Sequence, residues 1–236
     1  MKKIILFAAI LGVYSIAAVA QPRYTFVDNW HLGFNAGPTV FFGDVTQSDA
    51  SNSYGFSDLR PAFGIYLTKE IFCAYAVRGQ LGYGWLAGSK DRYDDGTPAD
   101  LSFRAHYFQY NLQSKISLSD LFSGGKCSQK ANIYGFFGIG MINFQNKLYR
   151  KGDEVLSWGY GRDGSYKWVT EVIWPFGLGV DVRVGEKLKI NLEVEAIWVD
   201  NDKLDRTFGK EQQDGFVYPS IGITYNISKF NRICNN

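Results

Sequence analysis

The two histidines, His31 and His106, are the side chains best suited to acid–base or metal chemistry in this chain of 236 residues. Neither lies near an HExxH motif, a cysteine pair or a carboxylate cluster at ligand spacing, so the sequence predicts no metal site and no cofactor. A catalytic histidine also needs a nucleophile or an orienting acid, and the acids that precede His106 are Asp91, Asp94 and Asp95. Because no nucleophile accompanies them, we expect His106 to be structural and the protein not to be an enzyme.

A second group of chemically active side chains alternates with apolar residues in extended-looking segments. It consists of three bases and three acids: Arg78, Lys115, Asp181, Arg183, Glu193 and Glu195. Charges inside a protein persist only when they are paired and hydrogen-bonded. If these residues point inward, we expect a paired polar network, with Glu193 and Glu195 beside Asp181 and Arg183 on the neighbouring strand.

The stretch KINLEVEAIW at residues 189–198 shows why the direction of each face matters. Its apolar residues and its acids alternate, so they occupy opposite faces of a strand. In a water-soluble sheet the apolar face is buried, whereas in a barrel that spans a membrane the apolar face meets lipid and the acids are enclosed.

The beginning of the chain is typical of an exported protein. Lys2 and Lys3 precede an apolar run that ends in Ala18-Val19-Ala20, the pattern of a secretory signal peptide, although an uncleaved anchor is the alternative. No later apolar run is long enough for a spanning helix, so membrane crossing would require a closed barrel. Aromatic residues make up 17% of the chain, glycine occurs 26 times and mean hydropathy is only −0.16, which favours an outer-membrane barrel.

Runs with a period of two residues predict eight strands in an antiparallel, up-and-down transmembrane β-barrel, an all-β fold. The predicted strands cover residues 30–43, 60–69, 74–87, 102–118, 132–146, 169–184, 187–199 and 216–227. We accordingly assign residues 1–20 to the signal peptide, 21–29 to an N-terminal periplasmic segment, 30–228 to the outer-membrane barrel and 229–236 to a periplasmic tail.

The predicted connections alternate in length. Long polar segments at 44–59, 88–101, 147–168 and 200–215 follow the odd-numbered strands, and mostly shorter links, down to Gly185-Glu186, follow the even-numbered ones. Outer-membrane barrels have long extracellular loops and short periplasmic turns. The pattern therefore predicts an outer-membrane protein with both termini in the periplasm.

An eight-stranded barrel is just wide enough for its own side chains to fill it. We expect a polar, side-chain-filled lumen rather than a diffusion pore. Aromatic residues near strand ends predict girdles at the membrane interfaces. The predicted girdle residues are Trp30, Phe41, Phe42, Trp85, Tyr107, Tyr134, Trp174, Trp198 and Tyr225. On the fourth strand, Arg104 and His106 share the phase of the apolar face, which indicates a bulge or a strand top that stands clear of lipid.

The three cysteines, Cys73, Cys127 and Cys234, fall at the predicted periplasmic end. An odd number in an oxidising compartment allows one internal disulfide and one remaining thiol, with unpaired buried cysteines as the alternative. Their positions, with the enlarged second turn at 119–131, predict that this end contacts a partner protein.

Several stretches carry a family resemblance. They are LGFNAGPTVFFGDV, RPAFGIYLTKE, LSFRAHYFQYNLQ, NIYGFFGIG and IWPFGLGVDVRVGEKLKINLEVEAIWVD, and the chain resembles the small eight-stranded outer-membrane barrels of bacteria with type IX secretion. The most specific parts are Gly43-Asp44, the segment 101–104 and the segment 175–177. The resemblance implies a non-enzymatic barrel that docks periplasmic secretion proteins or lipoproteins to the outer membrane.

Two further hypotheses remain open on the residues alone. A surface adhesion or ligand-binding barrel would use its long loops, with Tyr149, Trp158, Tyr160 and Tyr166 as contact residues. A lipid-modifying enzyme would use His106. The formal net charge of +2 does not favour nucleic acid as a partner, and no small-molecule substrate is evident; outer-membrane lipid is the expected surrounding.

Overall fold

The strands are long and regular. The computed structural model describes residues 26–42, 58–92, 98–122, 130–150, 153–158, 168–200 and 215–228. The strands are β1 (Phe26–Phe42), β2 (Arg60–Phe72), β3 (Tyr75–Arg92), β4 (Pro98–Ser117), β5 (Ala131–Arg150), β6 (Asp153–Trp158), β7 (Val169–Arg183), β8 (Leu188–Val199) and β9 (Gly215–Asn226), and a short helix α1 (Leu118–Phe122) follows β4.

Antiparallel pairing closes the sheet. Each of β1 to β5 pairs with its neighbour in sequence, β5 pairs with β7, and β9 returns to β1. This confirms the predicted eight-stranded up-and-down barrel. The ninth strand, β6, pairs only with the far end of β5 and forms a hairpin inside the segment 147–168 that was predicted to be a loop. Among the described residues no helix is long and apolar enough to cross a membrane.

The apolar face points outward. On β8, Leu192 and Val194 are 58% and 54% exposed, whereas Glu193 and Glu195 are 3% and 1% exposed. The same alternation runs around the barrel. Exposed large apolar residues of this outer belt include Phe34, Ile65, Leu81, Leu112, Ile139, Phe176, Leu178 and Ile223. Since such a belt is unfavourable in water, it indicates an environment of lipid.

The interior has two layers, which corrects the expectation of a uniformly polar lumen. The lower layer, nearer the start of β1 and the end of β9, is polar. The upper layer is apolar and consists of Phe41, Ala62, Leu86, Leu101, Phe103, Ala105, Tyr107, Ile142, Phe144, Ile173, Ile197, Val199, Phe216 and Tyr218. Three predicted girdle residues, Phe41, Tyr107 and Tyr134, therefore lie inside the barrel instead of on its outer wall.

Strand β4 shows how the two layers arise. At the level of the lower layer, the outward residues of β4 are apolar, as at Tyr110 and Leu112, and its inward residues are polar, as at Gln109 and Gln113. Beyond Tyr107 the polarity of the two faces is exchanged: the inward residue Phe103 is apolar and buried, and the outward residue Arg104 is charged and exposed. The β4–β5 register is continuous here, so the reversal is not caused by a bulge. The strand passes from lipid into water, where the apolar side must face inward.

The two ends of the barrel differ. The turn rim holds the β2–β3 turn, helix α1 and residues 184–187; β1 begins and β9 ends there. At the opposite end, the loop rim, β3, β4 and β5 extend beyond the other strands. They are 18, 20 and 20 residues long, whereas a strand needs roughly 10 residues to cross a membrane. Parts of the predicted loop 88–101 are thus strand.

Candidate functional site

The lower layer of the lumen is centred on a buried ion pair between β3 and β8. Arg78 Nη1 lies 2.5 Å from Glu193 Oε1, and both side chains are 1% exposed. The guanidinium group also donates from Nε to Gln113 Oε1 at 2.7 Å and lies 4.5 Å from the ring centre of Phe136. Glu193 accepts a second hydrogen bond from the Tyr134 hydroxyl at 2.6 Å. These contacts join opposite walls of the barrel.

Glu195 extends the network by one step along β8. Gln113 Nε2 donates to Glu195 Oε1 at 2.8 Å, and Gln80 Nε2 donates to Glu195 Oε2 at 3.2 Å. All three side chains are buried. The two glutamines thus connect both acids and Arg78 into one continuous hydrogen-bonded group, which a buried carboxylate requires.

A second ion pair lies closer to the turn rim. Lys115 Nζ is 2.8 Å from Asp181 Oδ2, and the ammonium group lies 3.4 Å from the ring centre of Tyr134. Tyr134 therefore contacts both ion pairs. Space for its ring comes from Gly179, where an added Cβ would fall 2.5 Å from ring atoms.

The structure brings five of the six predicted lumen residues inside and excludes one. Arg183 is exposed at the turn rim. The predicted cross-strand pairing is also wrong, because Glu193 and Glu195 lie opposite Gly179 and Gly177. Glu193 pairs across the lumen with Arg78, and Asp181 pairs with Lys115. Sequence alternation assigns a face, but it does not show which strand lies opposite.

Sequence reasoning missed the neutral members of the network. Gln80, Gln113 and Tyr134 supply hydrogen bonds to the acids, and Tyr66 donates to Asn191 at 3.0 Å. The period-two pattern of each strand places these neutral side chains on the same face as the charged ones, so the sequence could have identified them as lumen residues. Together with the apolar layer above, these side chains close the lumen, so the barrel contains a plug made from its own wall.

The turn rim holds a shallow polar recess of about 210 Å³. Glu70 lines it, with its Oε1 atom 3.0 Å from His31 Nε2 and 3.1 Å from Lys189 Nζ. His31 is buried, which places this histidine in a structural contact between β1 and β2. The recess is also lined by Lys130, Asp181, Arg183 and Lys187. It therefore presents charges of both signs to the solution at this end.

Cys73 lies in the β2–β3 turn at the turn rim and is disulfide-bonded. Its partner is outside the described residues, as are Cys127 and Cys234. The disulfide agrees with the predicted internal bridge and ties this turn to a second part of the chain.

The residues predicted for loop binding or catalysis lie at the loop rim. Tyr149 and Trp158 belong to β5 and β6, not to a loop, whereas Tyr160 and Tyr166 are outside the described residues. The His106 ring packs edge-on against Trp168, with ring centres 5.2 Å apart. The side chain of Asp91 is likewise outside the described part of the chain, as are Asp94 and Asp95. Within the described residues no cluster of three or more His, Cys, Asp or Glu side chains could hold a metal ion.

Solved structures of similar fold are bacterial outer-membrane proteins. Ail, the attachment invasion locus protein of Yersinia pestis, aligns with a TM-score of 0.48 at 10% identity, over 84% of this chain and 98% of its own. A major outer membrane protein from Thermus thermophilus aligns with a TM-score of 0.47 at 12% identity, over 84% and 99%. Neisserial surface protein A aligns with a TM-score of 0.45 at 8% identity, over 83% and 96%.

A comparison with curated protein sequences gave no significant match. The family described as "Outer membrane protein beta-barrel domain" matches residues 6–213. With an outward apolar belt, a closed eight-stranded wall and a family match over most of its length, the chain belongs to the outer membrane protein beta-barrel family and is a protein of the bacterial outer membrane.

Proposed function

We propose that this barrel is a non-enzymatic anchoring or accessory subunit of a protein-secretion machine, and that it holds periplasmic partner proteins at its turn rim. The observation that carries the proposal is the closed lumen. Arg78, Glu193 and the glutamines fill the lower layer, and aliphatic and aromatic side chains fill the upper one. Because the described side chains fill both layers, the surfaces of the barrel are the parts available for function.

The turn rim supports a contact role. It combines the charged recess around Glu70 with apolar side chains that stand free of the wall, among them Phe122 of α1, which is 84% exposed. Exposed apolar residues within a polar rim are typical of protein interaction surfaces. The predicted signal peptide and the alternation of the predicted connection lengths support a periplasmic position for this rim.

The choice of secretion machine in this proposal is supported by the sequence resemblance alone. Among the barrels of bacteria with type IX secretion, the chain resembles the accessory barrel PorG. The resemblance covers nearly all strands, and its sequence features are structural, not catalytic. On this proposal the partners are periplasmic ring proteins or lipoproteins of that secretion system, and outer-membrane lipid surrounds the barrel.

The proposal is tested by mutating each rim of the barrel in turn in the bacterium that produces the protein. A turn-rim variant, Phe122→Glu with Lys187→Glu, is compared with a loop-rim variant that lacks 153–158. We expect the first to lose co-purification with the secretion lipoproteins in mild detergent and to secrete less cargo, while the second keeps both. Normal secretion in the turn-rim variant, at normal barrel abundance, would contradict the proposal.

A second function is favoured by one observation. The β5–β6 hairpin projects beyond the apolar belt and carries Tyr149 and Trp158, the first of which is half-buried. A raised hairpin with aromatic residues suits a surface adhesion or ligand-binding barrel. Loss of cell attachment in the variant lacking 153–158, with unchanged secretion, would select this function over the first.

A further inference from the structure

The outer wall near the loop rim carries a cluster of basic residues that neither the plug nor the turn rim explains. Arg104 and His106 point outward from β4, and Arg104 is exposed. Lys147 lies directly opposite Arg104 in the β4–β5 ladder. None of the ion pairs recorded among the described residues involves Arg104. Among the described residues its charge is therefore not neutralised by an ion pair, and the exposed guanidinium group faces the surroundings of the barrel.

The height of this cluster can be derived from β4. Phe108 is 38% exposed and is the last apolar outward residue before the pattern reverses. Arg104 is four residues further along, about 14 Å of strand at roughly 3.4 Å per residue. With the usual tilt of about 40°, this corresponds to roughly 10 Å above Phe108 along the membrane normal. That is the depth of lipid headgroups, not of acyl chains.

Aromatic side chains lie on both sides of His106, one step below Arg104 on the outer wall. Trp85 pairs with His106 across the β3–β4 ladder and is 37% exposed. Trp168 contacts the His106 ring from the other side and is 47% exposed. Indole rings favour the boundary between acyl chains and headgroups. Arg104 thus stands directly above an interfacial girdle at the level of His106, with Tyr110 and Leu112 continuing the acyl-facing wall below.

We infer that Arg104, with His106 and Lys147 beside it, binds the phosphate group of a lipid headgroup in the outer leaflet, namely a phosphorylated glycolipid of the lipid A type. A guanidinium group matches phosphate geometry with two parallel N–H donors. The acyl chains of the same lipid lie against the apolar belt, so the site combines a polar contact to the phosphate with an apolar contact to the acyl chains. The choice of leaflet rests on the orientation proposed above, but binding to the purified barrel does not depend on it.

The test uses the full-length purified barrel with lipid A that carries its phosphates, and with the same lipid after dephosphorylation. Bound lipid is counted by native mass spectrometry after detergent exchange. Arg104→Gln and the double variant Arg104→Gln/His106→Gln are compared with Lys130→Gln, which removes an exposed cation at the other rim. Heat-modifiable electrophoretic mobility verifies that each variant is folded.

We expect the wild-type barrel and Lys130→Gln to retain the phosphorylated lipid in preference to the dephosphorylated one. Arg104→Gln should reduce retention by roughly tenfold, the size expected for loss of one charge-assisted hydrogen bond. Equal retention in Arg104→Gln, or equal retention of the dephosphorylated lipid by the wild type, would overturn the inference. Displacement by millimolar inorganic phosphate would also overturn it, since the site would then bind free phosphate.

Discussion

Replacing Arg78 with methionine should destabilise the folded barrel by about 3 to 5 kcal/mol, the usual cost of removing one partner of a buried ion pair. Arg78 and Glu193 are both 1% exposed and lie 2.5 Å apart. Without the guanidinium group, Glu193 keeps only the Tyr134 hydroxyl as a hydrogen-bond donor among the described side chains. Gln113 loses its contact with Nε at the same time. The cost therefore comes mainly from a carboxylate left without its cation in a closed interior.

Two companion variants separate this cause from a loss of packing. Arg78→Met combined with Glu193→Met removes both charges, so it should recover most of the stability and lie within about 1 to 2 kcal/mol of the wild type. Arg183→Met removes a charge from the same predicted set, but Arg183 is exposed at the turn rim. Its effect should be within about 0.5 kcal/mol.

The measurement is reversible urea unfolding in phospholipid vesicles, followed by tryptophan fluorescence, with the free energy of unfolding extrapolated to water. The reasoning is refuted if Arg78→Met costs less than about 1 kcal/mol. It is also refuted if the double variant is as unstable as Arg78→Met alone, because the lost stability would then not reflect an uncompensated charge.

Three other predictions concern the plug, the wall and the disulfide. Vesicles containing the wild-type barrel should not swell in an isotonic solution of a small sugar, because both layers of the lumen are filled; swelling at porin-like rates would show an open path. Gly179→Ala should cost about 1 to 3 kcal/mol in the same unfolding assay, since its Cβ would fall 2.5 Å from an aromatic ring, whereas Gly185→Ala, with 3.9 Å to the nearest side-chain atom, should be close to neutral. A reductant should shift the electrophoretic mobility of the wild-type protein, because it opens the disulfide of Cys73. This shift should disappear in Cys73→Ser and in one of the two variants Cys127→Ser and Cys234→Ser. Persistence of the shift in Cys73→Ser would contradict the assigned disulfide.

The fold could be predicted because its signal is local. Alternation along a strand such as β8 fixes which residues share a face, and the lengths of the connections fix an up-and-down order. The predicted export signal and the lack of a later apolar run long enough for a spanning helix then predict that the face of Glu193 points inward. The structure agrees on the barrel and on the direction of this face.

The interior was harder to predict, for two physical reasons. A period of two shows the face of a residue but not its height, so the emergence of β4 from lipid at Tyr107 was indistinguishable from a bulge. The partner of a lumen charge lies across the barrel, at a position set by strand tilt and stagger. Arg78 and Glu193 are 115 residues apart in sequence, and no local pattern connects them.

The same limits explain the remaining differences at the ends. Arg183 has the same phase as the lumen charges, but it lies at the rim, where water can hydrate it without a partner. The sequence pattern did not reveal the β5–β6 hairpin because its second strand is only six residues long. The cysteines could be placed at one end of the barrel, but pairing depends on distances in space that spacing along the chain does not supply.

The direction of the two faces is the claim on which the membrane account rests, and contacts with acyl chains test it most directly. Solid-state NMR of the barrel in lipid bilayers measures transfer of magnetisation from lipid acyl protons to individual side chains. We predict strong transfer to Leu192 and Val194, and none to Glu193 or Glu195 between them. Transfer to the two glutamates, with Leu192 and Val194 shielded, would contradict the inverted barrel and its sealed polar interior.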